Sequence, residues 1–209
     1  MRYLIPLLLA VSACSSVAQA QVPIVGLPCE GCEAVFDGIP EQLSSRARIG
    51  QPGELGEPML VTGRVIDDQG KPAGGVLVYA YQTNSAGIYP TSDKSLGRAS
   101  HRHGLLRGWA LTNSQGRYSF DTIRPAGYPR TELPAHIHMH VIERARCTYY
   151  IDDIMFKDDP RLTDESVRKL ALRRGGSGLA RPLLHKGIWY IKRDIVLGEN
   201  IPGYSGCGS

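Results

Sequence analysis

The alternation of apolar and polar residues along the chain predicts a series of short β-strands. MLVTGRVID places Val61 and Val65 on one face, and GVLVYAYQ is rich in β-branched and aromatic residues. WALT and RYSFDTI are predicted to form a hairpin around the turn NSQG, and AHIHMHVIE, CTYYI and WYIKRDIVL continue the series. Short strands separated by regular turns are typical of a β-sandwich, so we predict an all-β fold.

Two other segments depart from this strand pattern. DESVRKLALRR, approximately Asp164 to Arg174, has acidic residues in its first turn and is followed by two glycines, so it is predicted to be the one short helix. Residues 21–58 are rich in Gly and Pro and weakly patterned, which predicts an extended arm lying on the domain. The sandwich domain itself is predicted to cover residues 59–209.

The first 20 residues have the features of a signal peptide. Arg2 precedes an apolar run that reaches Ala13 and is too short to span a bilayer. VSAC resembles a lipobox, which would lipidate Cys14, while AQA before Gln21 fits a cleavage site that gives a soluble secreted product. We favour the lipoprotein and leave both routes open. Either route predicts export to the periplasm, the cell envelope or the medium.

The remaining four cysteines are an even number, which favours disulfides in an exported chain. They are Cys29, Cys32, Cys147 and Cys207. A redox C-x-x-C needs a strand before it and a helix after it, whereas PCEGC lies among loop signals. A zinc site would need a second C-x-x-C. We therefore predict structural pairing and leave its connectivity open.

Composition and charge exclude several classes of function. The 209 residues are 42% hydrophobic and 21% charged, which suits one globular domain with a targeting segment. The net charge is +4, and the densest basic group lies on the predicted helix without aromatic residues to stack bases. We therefore predict no nucleic-acid partner and no membrane contact beyond a lipid at Cys14. A homo-oligomer is left open.

Half of the six histidines occur at every second position in ELPAHIHMHV. In a strand this spacing puts His136, His138 and His140 on one face. Neutral imidazole is a common metal ligand, so the segment indicates a metal site. A half-buried strand with polar positions facing water explains the same spacing.

Further motifs favour the metal. The segment from VTGRVIDDQGKP to GRYSF resembles prealbumin-like sandwich modules, many of which are not catalytic. NSAGIYP adds Tyr89, TIRPAGYP adds Tyr128, and PAHIH adds the first two histidines of the series. In this order the motifs resemble the intradiol ring-cleavage dioxygenase family, from about Leu60 to Val141. The resemblance implies a prealbumin-like β-sandwich.

The resemblance also implies a non-haem Fe(III) held by Tyr89, Tyr128, His136 and His138. A phenol has a pKa of about 10, so it ionises only near a strong positive charge, which a ferric ion supplies. The family inserts both atoms of O2 into a catechol and cleaves the bond between the two hydroxylated carbons, giving a muconate-type diacid. Tyr89 is assigned as the ligand that the substrate displaces and as the base for its proton.

The sequence departs from the family pattern at one position. Family members usually carry an arginine three residues before the first histidine, where its charge stabilises anionic character. Leu133 occupies that position here, so Arg130 or Arg107 is expected to substitute. Because the family uses two histidines, His140 is expected near the ligands or in the pocket lining. The other histidines have no motif and are predicted at the surface; they are His101, His103 and His185.

Two alternative functions remain. A prealbumin-like module without activity would bind a partner or cell-wall material at the envelope. A histidine-rich protein would bind a different metal, such as copper, through His136, His138 and His140. The first alternative requires no stoichiometric metal, and the second requires no tyrosine ligand.

Overall fold

Two β-sheets and one α-helix make up the part of the chain that the structure describes. The computed structural model describes residues 22–29, 31–91 and 97–208. Its elements in chain order are β1 (Ile24–Val25), β2 (Arg46–Arg48), β3 (Pro58–Ile66), β4 (Leu77–Gln82), β5 (Arg107–Leu111), β6 (Arg117–Ile123), β7 (His136–Ile142), β8 (Thr148–Phe156), α1 (Asp164–Leu170), β9 (Leu179–Ala180), β10 (Leu183–His185), β11 (Ile188–Lys192) and β12 (Ile195–Val196).

The strands form two six-stranded sheets. The first sheet has the order β1-β8-β7-β4-β5, with β9 beside β8, and β7 runs antiparallel to both of its neighbours. The second sheet has the order β10-β11-β3-β6-β2, with β12 beside β3. The prediction of an all-β sandwich with one short helix is thus confirmed.

Two groups of buried side chains lie on opposite faces of the first sheet. The inner cluster fills the space between the sheets and includes Val61, Phe120 and Met139. Val61 and Phe120 face each other across β3 and β6, as the alternation in both segments predicts. The outer cluster covers the other face of the first sheet; it comprises Val35, Leu77, Tyr79, Tyr81, Trp109 and Ile142.

The predicted hairpin of WALT and RYSFDTI is wrong. The turn between them forms, with the Gly116 amide donating to the Asn113 carbonyl at 2.8 Å. However, β5 pairs with β4 in the first sheet, whereas β6 pairs with β3 in the second. The turn therefore connects a strand of the first sheet to a strand of the second. Both strands have apolar residues, so each can contribute to a core from its own sheet.

The segment predicted to be an arm contributes a strand to each sheet. β1 runs parallel to β8, and β2 runs parallel to β6. Between them a 3₁₀ turn, Cys32–Phe36, buries Ala34 and Val35, and Val35 joins the outer cluster on the first sheet. The boundary between arm and domain stays a prediction.

The helix is shorter than predicted. Thr163 caps its first turn by accepting from the Ser166 amide at 3.2 Å. It ends at Leu170 instead of Arg174, because Arg174 pairs with Asp152 of β8 at 2.8 Å. Arg173, with a φ of 52°, turns the chain toward that contact.

The predicted pairing of the four cysteines is confirmed. Cys29 pairs with Cys32 and Cys147 with Cys207, at Cα–Cα distances of 5.5 Å and 5.6 Å. The predicted signal and Cys14 lie outside the described residues. Within those residues, no helix has the length and apolar character needed to cross a membrane.

Candidate metal centre

Strand β7 divides its side chains between the two faces of the first sheet. Ile137, Met139 and Val141 are fully buried in the inner cluster. His136 and His138, at alternate positions, point to the outer face, where their rings are 4.5 Å apart. The period of two thus gives the strand a polar face for a site and an apolar face for the core.

Two loops bring tyrosines to the same place. Tyr89 follows a turn in which the Asn84 side chain accepts from the amides of Ala86 and Ile88 at 3.0 Å and 3.1 Å. The turn's Gly87 has a φ of 75°, and a Cβ there would collide with the carbonyl oxygen of Gly127, beside Tyr128. The absence of a side chain at Gly87 therefore lets the two tyrosine-bearing loops touch.

The four predicted ligands converge on one point. The hydroxyl oxygen of Tyr89 lies 2.6 Å from that of Tyr128 and 2.9 Å from Nε2 of His138. Nε2 of His136 is 3.1 Å from Nε2 of His138. The Tyr128 hydroxyl lies 3.3 Å and 3.4 Å from these two nitrogens. Ligands about 2 Å from one ion are separated from each other by roughly 2.8–3.3 Å, so these spacings suit a single small cation.

Hydrogen bonds on the far side of each imidazole fix its orientation. His136 Nδ1 lies 2.8 Å from the Pro134 carbonyl oxygen, and His138 Nδ1 lies 2.9 Å from Asp153 Oδ1. Both partners accept, so each Nδ1 carries the proton and each Nε2 presents a lone pair to the centre. This is the tautomer that a metal ligand requires.

Burial favours the neutral forms of Tyr89 and His136 in the metal-free protein. Burial raises the pKa of Tyr89 far above its ordinary value, and the hydrogen bond to Tyr128 raises it further. Burial also lowers the pKa of His136, and the neighbouring His138 adds to this effect. Ionised phenols at this centre therefore require a strong positive charge, such as a trivalent metal.

His140 does not join the four converging side chains. It is 1% exposed, and its Nε2 has no hydrogen-bond partner among the described residues. Burial lowers its pKa to about 3, with a further contribution from His103. Within the described ranges, the His, Cys, Asp and Glu side chains that could together hold an ion are His136, His138 and Asp153.

A cavity of about 280 Å³ opens beside the centre. Its walls are Pro28, Cys29, Tyr81, Tyr89, Arg102, His103, Tyr128, His138 and Tyr150. A groove of about 500 Å³ on the second sheet, lined by Arg64, Arg117 and Lys192, shares no residue with it. We place the chemistry at the smaller cavity, because three of the four converging side chains, Tyr89, Tyr128 and His138, line it.

The cavity contains a different arginine from those expected. Arg102 lines it, whereas neither Arg107 nor Arg130 is among its described wall residues. The Arg107 guanidinium lies over the Trp109 ring at 5.2 Å and donates to the Ala34 carbonyl. Arg130 is exposed, with a φ of 62°. Catalytic roles for Arg107 and Arg130 stay predictions.

The surface location predicted for His103 is wrong, whereas His101 and His185 are exposed as predicted. His103 is 1% exposed and its Nδ1 is 2.8 Å from the Tyr79 hydroxyl. Its ring stacks on Tyr81 at 3.7 Å, and Tyr81 stacks on His138 at 4.4 Å. Without His103, the rings of Tyr79 and Tyr81 on β4 would be exposed. These two alternate aromatic residues are the sequence signal that another segment covers this face of the strand.

Comparisons with known proteins show similarity to dioxygenases. A protein-family model described as "Dioxygenase" matches residues 40–175. The protocatechuate 3,4-dioxygenase beta chain of Burkholderia cepacia is 33% identical over 123 residues, covering 56% of this chain and 52% of that protein. Hydroxyquinol 1,2-dioxygenase of Rhizobium sp. (strain MTP-10005) is 30% identical over 128 residues, covering 54% and 42%. The chain thus spans about half the length of these relatives.

Solved structures share the fold. The dioxygenase domain of a carbohydrate-binding fusion protein from Streptomyces sp. SirexAA-E has a TM-score of 0.56 at 23% identity, covering 77% of this chain and 96% of that chain. 3-Chlorocatechol 1,2-dioxygenase from Rhodococcus opacus 1CP has a TM-score of 0.56 at 20% identity, covering 78% and 68%. At these identities the likeness concerns the fold.

Proposed function

The chain belongs to the intradiol ring-cleavage dioxygenase family, and from that premise we propose that it is a non-haem Fe(III) enzyme acting on a catechol-type aromatic. The reaction would insert both atoms of O2 and cleave the ring between its hydroxylated carbons, giving a muconate-type product. The observation that carries this proposal is the convergence of two phenol oxygens and two imidazole nitrogens, each of which lies 2.6–3.4 Å from at least two of the others. The names of the relatives support a dihydroxylated aromatic substrate.

The donor set suits ferric iron better than the alternatives. Two phenolate oxygens are hard, anionic ligands that neutralise two of the three charges of Fe(III), and two imidazoles complete the set. The copper alternative requires His140, which is not among the described His, Cys, Asp and Glu side chains that could together hold an ion. A bound ferric ion would supply Lewis-acid polarisation and a template for the catechol and O2.

The protein's own groups would bind and orient the substrate. Tyr89 lines the cavity, and as a phenolate its oxygen can accept the proton of an incoming substrate hydroxyl. The aromatic walls Tyr81 and Tyr150 would hold a single ring and exclude water. A cavity of about 280 Å³ is at the small end of ligand pockets, which suits a one-ring substrate.

Arg102 would provide the positive charge that the family places at the position of Leu133. It lines the same cavity as Tyr89, Tyr128 and His138, so its guanidinium can favour the anionic form of a bound catechol. Leu133 itself is 49% exposed.

The test is the visible spectrum of the iron-loaded protein together with its iron content. Tyrosinate bound to Fe(III) gives a charge-transfer band, so we expect a red-brown protein with about one iron per chain. Tyr89→Phe and Tyr128→Phe should each weaken or shift this band. Tyr190→Phe removes a hydroxyl on the second sheet and is the matched control. Adding catechol should then perturb the band and consume O2.

Two results would contradict the proposal. A protein that remains colourless after iron loading would instead support a binding module without a metal. A band that persists unchanged in the Tyr89→Phe, Tyr128→Phe double variant would exclude these tyrosines as ligands.

A further inference from the structure

Strand β8 contains an irregularity directly opposite the centre. Ile137 pairs with Ile154, but Met139 pairs with Ile151, so the register shifts between the two pairs. His138 therefore faces two residues, Asp152 and Asp153, where a regular ladder would offer one. This two-against-one arrangement is a β-bulge, a feature that redirects side chains and is common beside active sites.

The bulge changes which face of the sheet each residue of β8 occupies. Tyr149 and Ile151 before it and Ile154 and Phe156 after it all belong to the inner cluster. Uninterrupted alternation would have placed Asp153 with Tyr149 and Ile151, inside the apolar core. With the bulge, the Asp153 carboxylate instead reaches the face that carries His138.

Asp153 makes two short hydrogen bonds on that face. Its Oδ1 accepts from His138 Nδ1 at 2.9 Å and from the Tyr150 hydroxyl at 2.5 Å. Its side chain is 13% exposed, so little water competes for these bonds. The carboxylate binds the ring nitrogen that faces away from the centre, so Asp153 supports His138 instead of competing with it for an ion.

We propose that Asp153 is a positioning residue that holds His138 in its ligating orientation and makes it the stronger of the two imidazole donors. The inference rests on the proposed function, because the ion that His138 would serve is the ferric iron. His136 lacks this support, since its Nδ1 is held by the neutral carbonyl of Pro134. A carboxylate partner increases the basicity of a ligating imidazole more than a carbonyl does, and should therefore stabilise the ferric state.

The neighbouring residue provides a matched control. Asp152 also lies in the bulge and is buried, but its carboxylate pairs with Arg174 at 2.8 Å and accepts from the Arg174 amide at 3.0 Å. Asp153→Asn and Asp152→Asn are the same chemical change at adjacent positions. They differ in whether the lost charge faces His138 or Arg174.

The experiment compares the full chain with both variants in three measurements. Iron affinity is measured by competition with a chelator, the charge-transfer band by visible spectroscopy, and the His138 tautomer by nitrogen-15 NMR of the metal-free protein. We expect Asp153→Asn to bind iron 10–100-fold more weakly, with the band at longer wavelength because the ferric ion becomes a stronger acceptor. Asp152→Asn should lose stability in urea while its band remains that of the wild type.

The outcomes separate this inference from the proposed function. Equal iron affinity and an identical band in wild type and Asp153→Asn would overturn the inference while the proposed function stands. Equal losses of affinity in both variants would show a structural role and also overturn it. A wild-type protein that binds no iron would contradict the proposed function. In that case a tautomer change in Asp153→Asn supports the positioning of His138, and an unchanged tautomer refutes it.

Discussion

The two faces of the first sheet are built in different ways. On the inner face, Ile137, Met139 and Val141 pack between the sheets within the inner cluster, to which strands of both sheets contribute. On the outer face, His136 and His138 meet tyrosines from two loops. The first face is a core that buries apolar area, and the second is a polar centre that exists only when separate segments come together.

The segments that cover the two faces also differ, because regular strands cover one face and turns and loops cover the other. The second sheet covers the inner face with regular strands. The outer face is covered by the 3₁₀ turn that contains Val35, by His103 and by the loop that contains Cys29. Stability should therefore depend mainly on the inner side, and metal retention mainly on the outer side.

The largest expected effect concerns the disulfide of the inner side. Cys147 and Cys207 both belong to the inner cluster and are separated by 60 positions. By loop-closure entropy, replacing both with Ala should lower the free energy of unfolding by about 4 kcal/mol. Urea unfolding of the metal-free protein measures this loss without a contribution from bound ligand. The folded fraction should still bind iron with the wild-type band, and a changed band would contradict the separation of the two sides.

The disulfide on the outer side, Cys29–Cys32, should contribute less to stability and more to metal retention. Cys29 and Cys32 are separated by 3 positions, so replacing both with Ala should cost about 2 kcal/mol in the same urea experiment. Cys29 lines the cavity, and its loop should loosen when the bond is absent. We therefore expect a chelator to remove iron several-fold faster from this variant than from the variant without the inner disulfide. Equal release rates would show that this loop does not protect the centre.

The inner side was largely predictable from the sequence because it depends on alternation alone. Val61 and Phe120 pair on adjacent strands of the second sheet and both join the inner cluster, as the alternation in their segments indicates. The donors His136 and His138 were also predictable from the sequence, since a period of two places them on one face of the strand whatever their partners are. Tyr89 and Tyr128 came from the family resemblance, because no local rule states that two loops will touch.

The features that the sequence did not reveal all depend on contacts between distant segments. The role of Asp153 depends on a bulge, and TYYIDDIMF read with strict alternation would bury its carboxylate in the core. His103 is buried because Tyr79 and Tyr81 lie beneath it. The chain position of Arg102 likewise gives no indication that it lines the same cavity as Tyr89.

The smallest expected effect tests whether the outer cluster supports the centre. Val35 is fully buried in the same outer cluster as Tyr81, whose ring stacks on His138 at 4.4 Å. Val35→Ala removes the equivalent of two methylene groups and should cost about 1.5 kcal/mol in urea unfolding. Val141→Ala removes the same atoms from a fully buried position on the inner side and should cost a similar amount. With stability matched in this way, Val35→Ala should release iron to a chelator faster than Val141→Ala does. Identical release rates would mean that the outer cluster stabilises the fold without holding His138 in place, and that the two faces differ in composition but not in function.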